Sequence, residues 1–202
     1  MTTTTPQPET GRRERKKAQT RRSLVEAARR LFLVRGYDDV TVAQIAAEAD
    51  TAVTTLFKHF PHGKEALVFG DPADEDEREQ SLTGAVRGTG GVTEALEALR
   101  TFFRGRGIFE EHPSDEQRQL LQLILTTPQL RQYARRQWEA CEEPLTAALA
   151  AEAGHDPADP AIRALARYVL QIPDLASGTD DPRAALDAVV DRLAAGWSAP
   201  AR

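Results

Sequence analysis

A chain of 202 residues can form one large or two small domains, each with a genuine apolar core. Apolar residues make up 41%, charged residues 28% and aromatics only 6%, an Ala- and Leu-rich balance that favours helices and, with no alternating β-branched runs, predicts an all-α fold. The first eleven residues lack the apolar core of a signal peptide and no segment approaches ~18 uninterrupted apolar residues, so secreted and membrane-spanning classes are set aside and a cytoplasmic location is expected.

The formal net charge of -5 is unevenly divided. Residues 12–64 carry 12 Lys/Arg and 6 Asp/Glu, a net +6, whereas residues 65–202 carry 14 and 24, a net -10. A basic head on an acidic body is drawn to a polyanion by one end and repelled by the other. The single Cys141 forms no disulfide within the chain and offers no cysteine metal cluster, so it reads as a small buried hydrophobe.

Along the chain, residues 1–11 are Thr- and Pro-rich and are expected to be a disordered tail. Leu24, Ala27, Ala28, Leu31 and Phe32 follow helical spacing and Gly36 stops them, giving a helix over 14–35. Thr41-Val42-Ala43-Gln44 has the form of a capping box and opens a short helix over 42–49. Asp50-Thr51 reads as a tight turn, because Asp tolerates a left-handed backbone. A helix over 52–59 follows, with Leu56, Phe57 and Phe60 as its apolar side, and Pro61-His62-Gly63 breaks it. Helix resumes at Lys64, pauses at Gly70-Asp71-Pro72 and runs again to Val86.

Beyond the loop Gly88–Gly91 come helices over 92–104 and 116–126, then a long helix opened by Pro128, kinked or split by Pro144 and ended at Gly154–Pro157. Pro160 opens the next helix and Pro173 is expected to close it. The last runs from Pro182 to about Trp197. Internal repeats and sustained heptads are absent from the sequence.

Two short helices joined by a three- to four-residue turn, behind a longer helix, form the pattern of a helix-turn-helix. The second of the pair places Val53, Thr54, Thr55, Lys58 and His59 away from its apolar side. Thr hydroxyls suit phosphates or base edges, and Val53 or a Thr methyl suits the thymine methyl group.

The stretch from Arg21-Arg22-Ser23-Leu24 through Ala28-Arg29-Arg30-Leu31-Phe32, Gly36-Tyr37, Thr41–Ala46 and Thr55–Phe60 to Lys64-Glu65-Ala66-Leu67 resembles the TetR-family signature. The resemblance implies an N-terminal three-helix DNA-binding domain, a divergent helical domain for ligand and dimerisation, and repression relieved by a small molecule. It also implies phosphate contacts for His59 and Lys64. The sequence departs from the usual pattern at Asp50 for the turn Gly, at Ala52 for a capping Ser, which leaves Thr51 as the expected cap, and at Phe57 for a Tyr. The link before Lys64 is one residue longer.

The expected domains are the tail 1–11, a helix-turn-helix domain 12–63 and a regulatory and dimerisation domain 64–202. Candidate DNA contacts are Arg12, Arg13, Arg15, Lys16 and Lys17, as a phosphate- or minor-groove-contacting arm rather than a merely solvated helix end, with Thr41, Thr51, Val53, Thr54, Thr55, Lys58, His59 and Lys64. Phe102, Phe103, Phe109, Leu121, Ile124, Leu125, Tyr133 and Trp138 line a ligand cavity or simply fill the core. Apolar stripes at Leu165, Tyr168, Val169 and Ile172 and at Leu186, Val189, Val190 and Leu193 each call for a partner, and pairing them across a two-fold axis predicts a homodimer on a palindromic operator.

His59 and His62 have a spacing compatible with a metal, yet Phe60-Pro61 between them spoils it, so no metal is expected. The acidic residues Asp71, Asp74, Glu75, Asp76, Glu77 and Glu79 lack the spacing of a calcium loop and read as solvated surface. With no nucleophile elbow, phosphate-binding Gly loop or dinucleotide fingerprint, neither catalysis nor a cofactor is expected. The competing class is a helical ligand-binding protein or small enzyme whose basic head only aids solubility. A third reading keeps the fold and replaces the small molecule with a protein partner.

Overall fold

The computed structural model describes residues 10–70 and 73–197, and among them every regular element is helical. The chain divides into two compact units, residues 1–72 and 73–202.

The first unit contains α1 (Thr10–Arg35), α2 (Val42–Glu48), α3 (Val53–His59) and α4 (Lys64–Phe69). Helix α1 begins at Thr10, earlier than the sequence pattern placed it, so the basic run is a continuation of the rod; residues 1–9 of the expected tail lie outside the described residues. Its first fully buried residue among the described ones is Leu24, followed by Val25, Ala27, Ala28, Leu31 and Phe32; Ile45 and Ala46 are buried on α2, which packs against α1 and α3, Leu56 and Phe60 are buried in the α3 segment, and Ala66, Leu67 and Val68 are buried on α4, which packs against α1. The chain parts between residues 72 and 73 rather than after residue 63, because α4 packs on α1. Arg29 of α1 secures that packing by donating through Nε and Nη2 to the Val68 carbonyl at 3.4 and 3.3 Å, near the end of α4 where carbonyls lack helical partners.

The second unit contains α5 (Ala73–Val86), α6 (Val92–Arg104), a 3-10 turn (Gly107–Phe109), α7 (Asp115–Thr126), α8 (Pro128–Glu139), α9 (Glu142–Ala153), α10 (Pro160–Ala176) and α11 (Pro182–Trp197). Helix α6 is at its centre, packed against α5, α9 and α11, while α10 packs against α8, α9 and α11. The pause after Gly70 falls between α4 and α5, with Asp71 and Pro72 outside the described residues.

Two prolines act differently from each other. Pro144 accompanies the expected split, but the break lies at Ala140-Cys141 and Pro144 occupies the first turn of α9, where a missing N–H leaves no helical bond unmade. Pro173 does not close α10, which continues to Ala176. Buried Ile172 and Ala176 flank it, and Asp174 accepts from Arg131 at 3.2 Å and pairs with Arg135 at 2.8 Å, so tertiary contacts on α8 offset the lost backbone bond.

The apolar stripes of α10 and α11 do not await a second chain. Leu165, Val169, Ile172, Leu186 and Val190 are buried within the unit, and Val189 and Leu193 pack half-buried against the same core. Of that set Tyr168 alone is exposed, at 52%. Each stripe is partnered by neighbouring helices of its own protomer.

A carboxylate ties the α5–α6 loop down. Glu152 of α9 accepts from the backbone N–H groups of Gly88 at 2.7 Å and Gly90 at 2.8 Å, two residues that the left-handed φ of +78° and +80° reserves for glycine. The Gly90 and Gly88 donors hold this carboxyl below its usual range, against a smaller opposing effect of burial.

Candidate nucleic-acid interface

The helix-turn-helix is set by local chemistry. Thr41 Oγ1 accepts from the Gln44 backbone N–H at 3.3 Å while Gln44 Oε1 accepts from the Thr41 N–H at 2.8 Å, so the capping box at α2 is complete. At the other end Asp50 takes φ 49°, the Asp50 N–H donates to Ala47 O at 3.1 Å and the Thr51 N–H to Ala46 O at 2.9 Å. That pair of bonds is a Schellman closure with Asp in the place glycine usually occupies. Helix α3 starts without a side-chain cap: Ala52 holds the cap position, and Thr51 does not supply the bond expected of it.

The turn presents one face of α3 to solvent. Val53, Thr54, Phe57 and Lys58 are exposed, Thr55 and His59 are half-buried, and Leu56 and Phe60 fill the core. Phe57 therefore belongs to the outward face rather than the packing side, at 45% exposure. The signal that could have shown this is its position four residues after Val53, the outward residue of the turn before.

Arg12, Arg13, Arg15, Lys16 and Lys17 are all exposed on the first turns of α1. Glu14 pairs with Lys17 at 2.7 Å and is held below its usual range by that lysine, which leaves the segment strongly basic. Thr41 is exposed beside the α2 cap and Thr51 is half-buried in the turn.

Lys64 is directed inward. Its Nζ donates to the carbonyls of Tyr37 at 2.8 Å and Val40 at 3.1 Å and lies 3.9 Å from the centroid of the Tyr37 ring. Two of three ammonium hydrogens are thus used to fasten α4 to the loop after α1. Burial, with Glu65 beside it, pushes the Tyr37 phenol far above its ordinary range, so the ring stays neutral.

In the second unit Phe102, Phe103, Phe109 and Trp138 form one aromatic cluster. Phe103 is central, with ring centroids 5.4 Å from Phe102, 6.0 Å from Phe109 and 5.4 Å from Trp138. The three phenylalanines are buried and Trp138 is half-buried. The Arg106 guanidinium stacks 3.9 Å from the Phe102 centroid, and that of Arg78 lies 5.7 Å from Trp138. Tyr133 is buried on α8, while Leu121, Ile124 and Leu125 on α7 are each half-buried, as α7 packs on α8 and the 3-10 turn. Among the described residues no three His, Cys, Asp or Glu are grouped to hold a metal, and no helix is long and apolar enough to cross a membrane.

Comparison with known proteins agrees with this geometry. Residues 24–69 match the profile of bacterial regulatory proteins, tetR family, and residues 93–198 match that of the MftR C-terminal domain. The chain is 27% identical over 147 residues to the mycofactocin biosynthesis transcriptional regulator MftR of Mycobacterium tuberculosis, covering 73% of this chain and 72% of that one. A shorter match, 40% over 58 residues, is to the regulator TcmR of Streptomyces glaucescens, of which it spans 26%. In fold the chain is similar to SCO7518 of Streptomyces coelicolor, with a TM-score of 0.53, 20% identity and coverage of 87% and 98% of the two chains. It is likewise similar to Salmonella enterica GusR, with a TM-score of 0.51, 22% identity and coverage of 89% and 93%. The chain belongs to the tetR family of bacterial regulatory proteins and is a DNA-binding transcriptional regulator.

Proposed function

We propose that the protein is a homodimeric repressor that holds a palindromic operator through α3 and the basic end of α1, and releases it when a small molecule enters the second unit. The observation that carries this reading is the outward face of α3, where Thr54 and Lys58 stand exposed on a head with a net +6 over residues 12–64. Lys58 and the residues Arg12 to Lys17 contact phosphates, Thr54 and Thr55 reach base edges, and His59 borders the backbone.

The dimer face moves from the buried stripes to the exposed ones. On α10, half-buried Ala164 and exposed Tyr168, Gln171 and Leu175 recur at spacings of four and three, with Tyr168 and Leu175 at 52% and 59% exposure. On α11, Ala184, Ala188, Asp191 and Ala195 are exposed at the same spacing. Bulky residues on one helix and small ones on the other suit a self-complementary pairing with a second copy.

The effector site is the aromatic cluster around Phe103 and Trp138, bordered by the half-buried aliphatics of α7. SmeT of Stenotrophomonas maltophilia, a fold neighbour, is solved as a complex with triclosan. No cofactor or catalysis is involved, and the protein works in the cytoplasm. The test is binding to DNA from upstream of the protein's own gene and to random duplex over a range of salt. Thr54→Ala is expected to weaken operator binding by roughly 1–3 kcal/mol and random-duplex binding far less. Equal losses on both, or no salt dependence in the wild type, would sink the reading.

A further inference from the structure

The geometry points to Val53 and Phe57 as readers of thymine methyl groups, so that operator preference depends on C5-methyls in the major groove. This rests on the reading that α3 enters that groove. In the first unit, Val53 and Phe57 are large apolar side chains left exposed on α3, at 36% and 45%. They lie four positions apart, which puts them on one face of the helix about 6 Å apart along its axis. Thr54 and Lys58, each one residue further on, are exposed beside them.

An exposed phenylalanine leaves apolar surface in water that a binding partner would remove. The charge around it selects that partner. Residues 12–64 carry a net +6 and Lys58 adjoins the ring in sequence, so an apolar protein surface without compensating acid fits poorly and a polyanion fits well. On the major-groove floor the apolar feature is the C5-methyl of thymine. A phenyl ring has no donor or acceptor and reads no other part of a base edge there by hydrogen bonding. With base pairs about 3.4 Å apart, a separation of about 6 Å matches methyls about two steps apart.

The experiment is selection of bound sequences from a random duplex library by the full chain, followed by resynthesis of the enriched site with deoxyuridine in place of each thymidine in turn. Only the methyl is lost. The wild type is expected to bind about fourfold more weakly for each methyl that Val53 or Phe57 covers, the equivalent of about one buried methylene. A Phe57→Ala/Val53→Ala double variant is expected to bind both forms alike, whereas Lys58→Ala weakens both by the same factor. Helical circular dichroism checks that the variants fold, and the wild-type comparison stands without them.

Equal wild-type affinity for thymine and uracil forms at every position overturns the inference, as does discrimination that survives in the double variant. A change of oligomeric mass in Phe57→Ala with an unchanged thymine preference assigns the face to a second protein copy and also overturns it. Failure to enrich any sequence would instead overturn the DNA-recognition reading itself, and this inference with it.

Discussion

The basic end of α1 and the outer face of α3 display their cations, whereas the contact between α6 and α11 in the second unit neutralises its own. Arg12, Arg13, Lys16 and Lys58 are exposed on α1 and α3. In the second unit Arg100, only 13% exposed, sits among Glu97 at 2.9 Å, Asp187 at 3.5 Å and Asp191, while Arg104 pairs with Asp187 at 2.6 Å, so α6 and α11 are joined by a charge network. An exposed cation keeps its hydration and exchanges counterions with a polyanion. One enclosed by carboxylates has already made that exchange within the fold. The contrast separates a surface built for association from one built for packing, even though arginine serves both.

Four experiments put this contrast at risk. The greatest change is expected in the second unit: Phe103→Ala removes the centre of the aromatic cluster, 1% exposed, and is expected to lower stability by about 3–5 kcal/mol. A denaturant titration checks it, and a loss under about 1 kcal/mol would mean that the cluster is loosely packed. Next, removing residues 1–17 deletes the exposed basic turns of α1 and, among the described residues, spares the core, which begins at Leu24. DNA affinity is expected to fall about 10- to 100-fold, and the slope of log affinity against log salt by about 0.9 for each phosphate that is no longer neutralised, with the melting temperature unchanged. An unchanged slope would show that the arm does not touch DNA.

Asp50→Gly relieves a non-glycine residue at φ 49° and is expected to raise stability by about 1 kcal/mol. It also removes a negative charge from the turn before α3, so DNA affinity should rise modestly; lower stability in a urea titration would refute the strain. The mildest change is expected at Glu152. Its carboxyl is held below its usual range in the fold, so its contribution is complete above the unfolded-state value of about 4.3 and is lost as pH falls through the lower folded value. Glu152→Gln should therefore show a shallower loss of stability below about pH 4.3 than the wild type, measured as urea midpoints across pH. Identical acid profiles would leave the loop's attachment independent of that charge.

The order of helices in the first unit is legible because its start and stop signals are local. Thr41 and Gln44, three residues apart, state the start of α2, and Asp50 states its end. The second unit's helices could be read from Pro128, Pro160 and Pro182, but their partners could not. A stripe such as Leu165, Val169 and Ile172 says that one face is covered, and α9, α11 and a second copy would satisfy it equally in sequence. Pro173 misled for the same reason, as the contacts that carry α10 past it come from Arg131 and Arg135, more than thirty residues away. At Phe57 an aromatic ring favours an inward assignment on hydrophobicity alone, whereas its position in α3 faces solvent.

The continuity of α1 has a further consequence. The basic residues and the buried ones share a single 26-residue helix, about 39 Å long, with no joint between Lys17 and Leu24. The arm is therefore aimed by angle as well as by distance. One residue inserted between those two points would advance the charges by about 1.5 Å but swing them by about 100° around the axis, whereas seven would return them to within about 20° of their original bearing. An insertion in this stretch therefore keeps the arm's bearing only when it completes nearly whole turns, as the teeth of a key are fixed by the angle at which its shaft is cut.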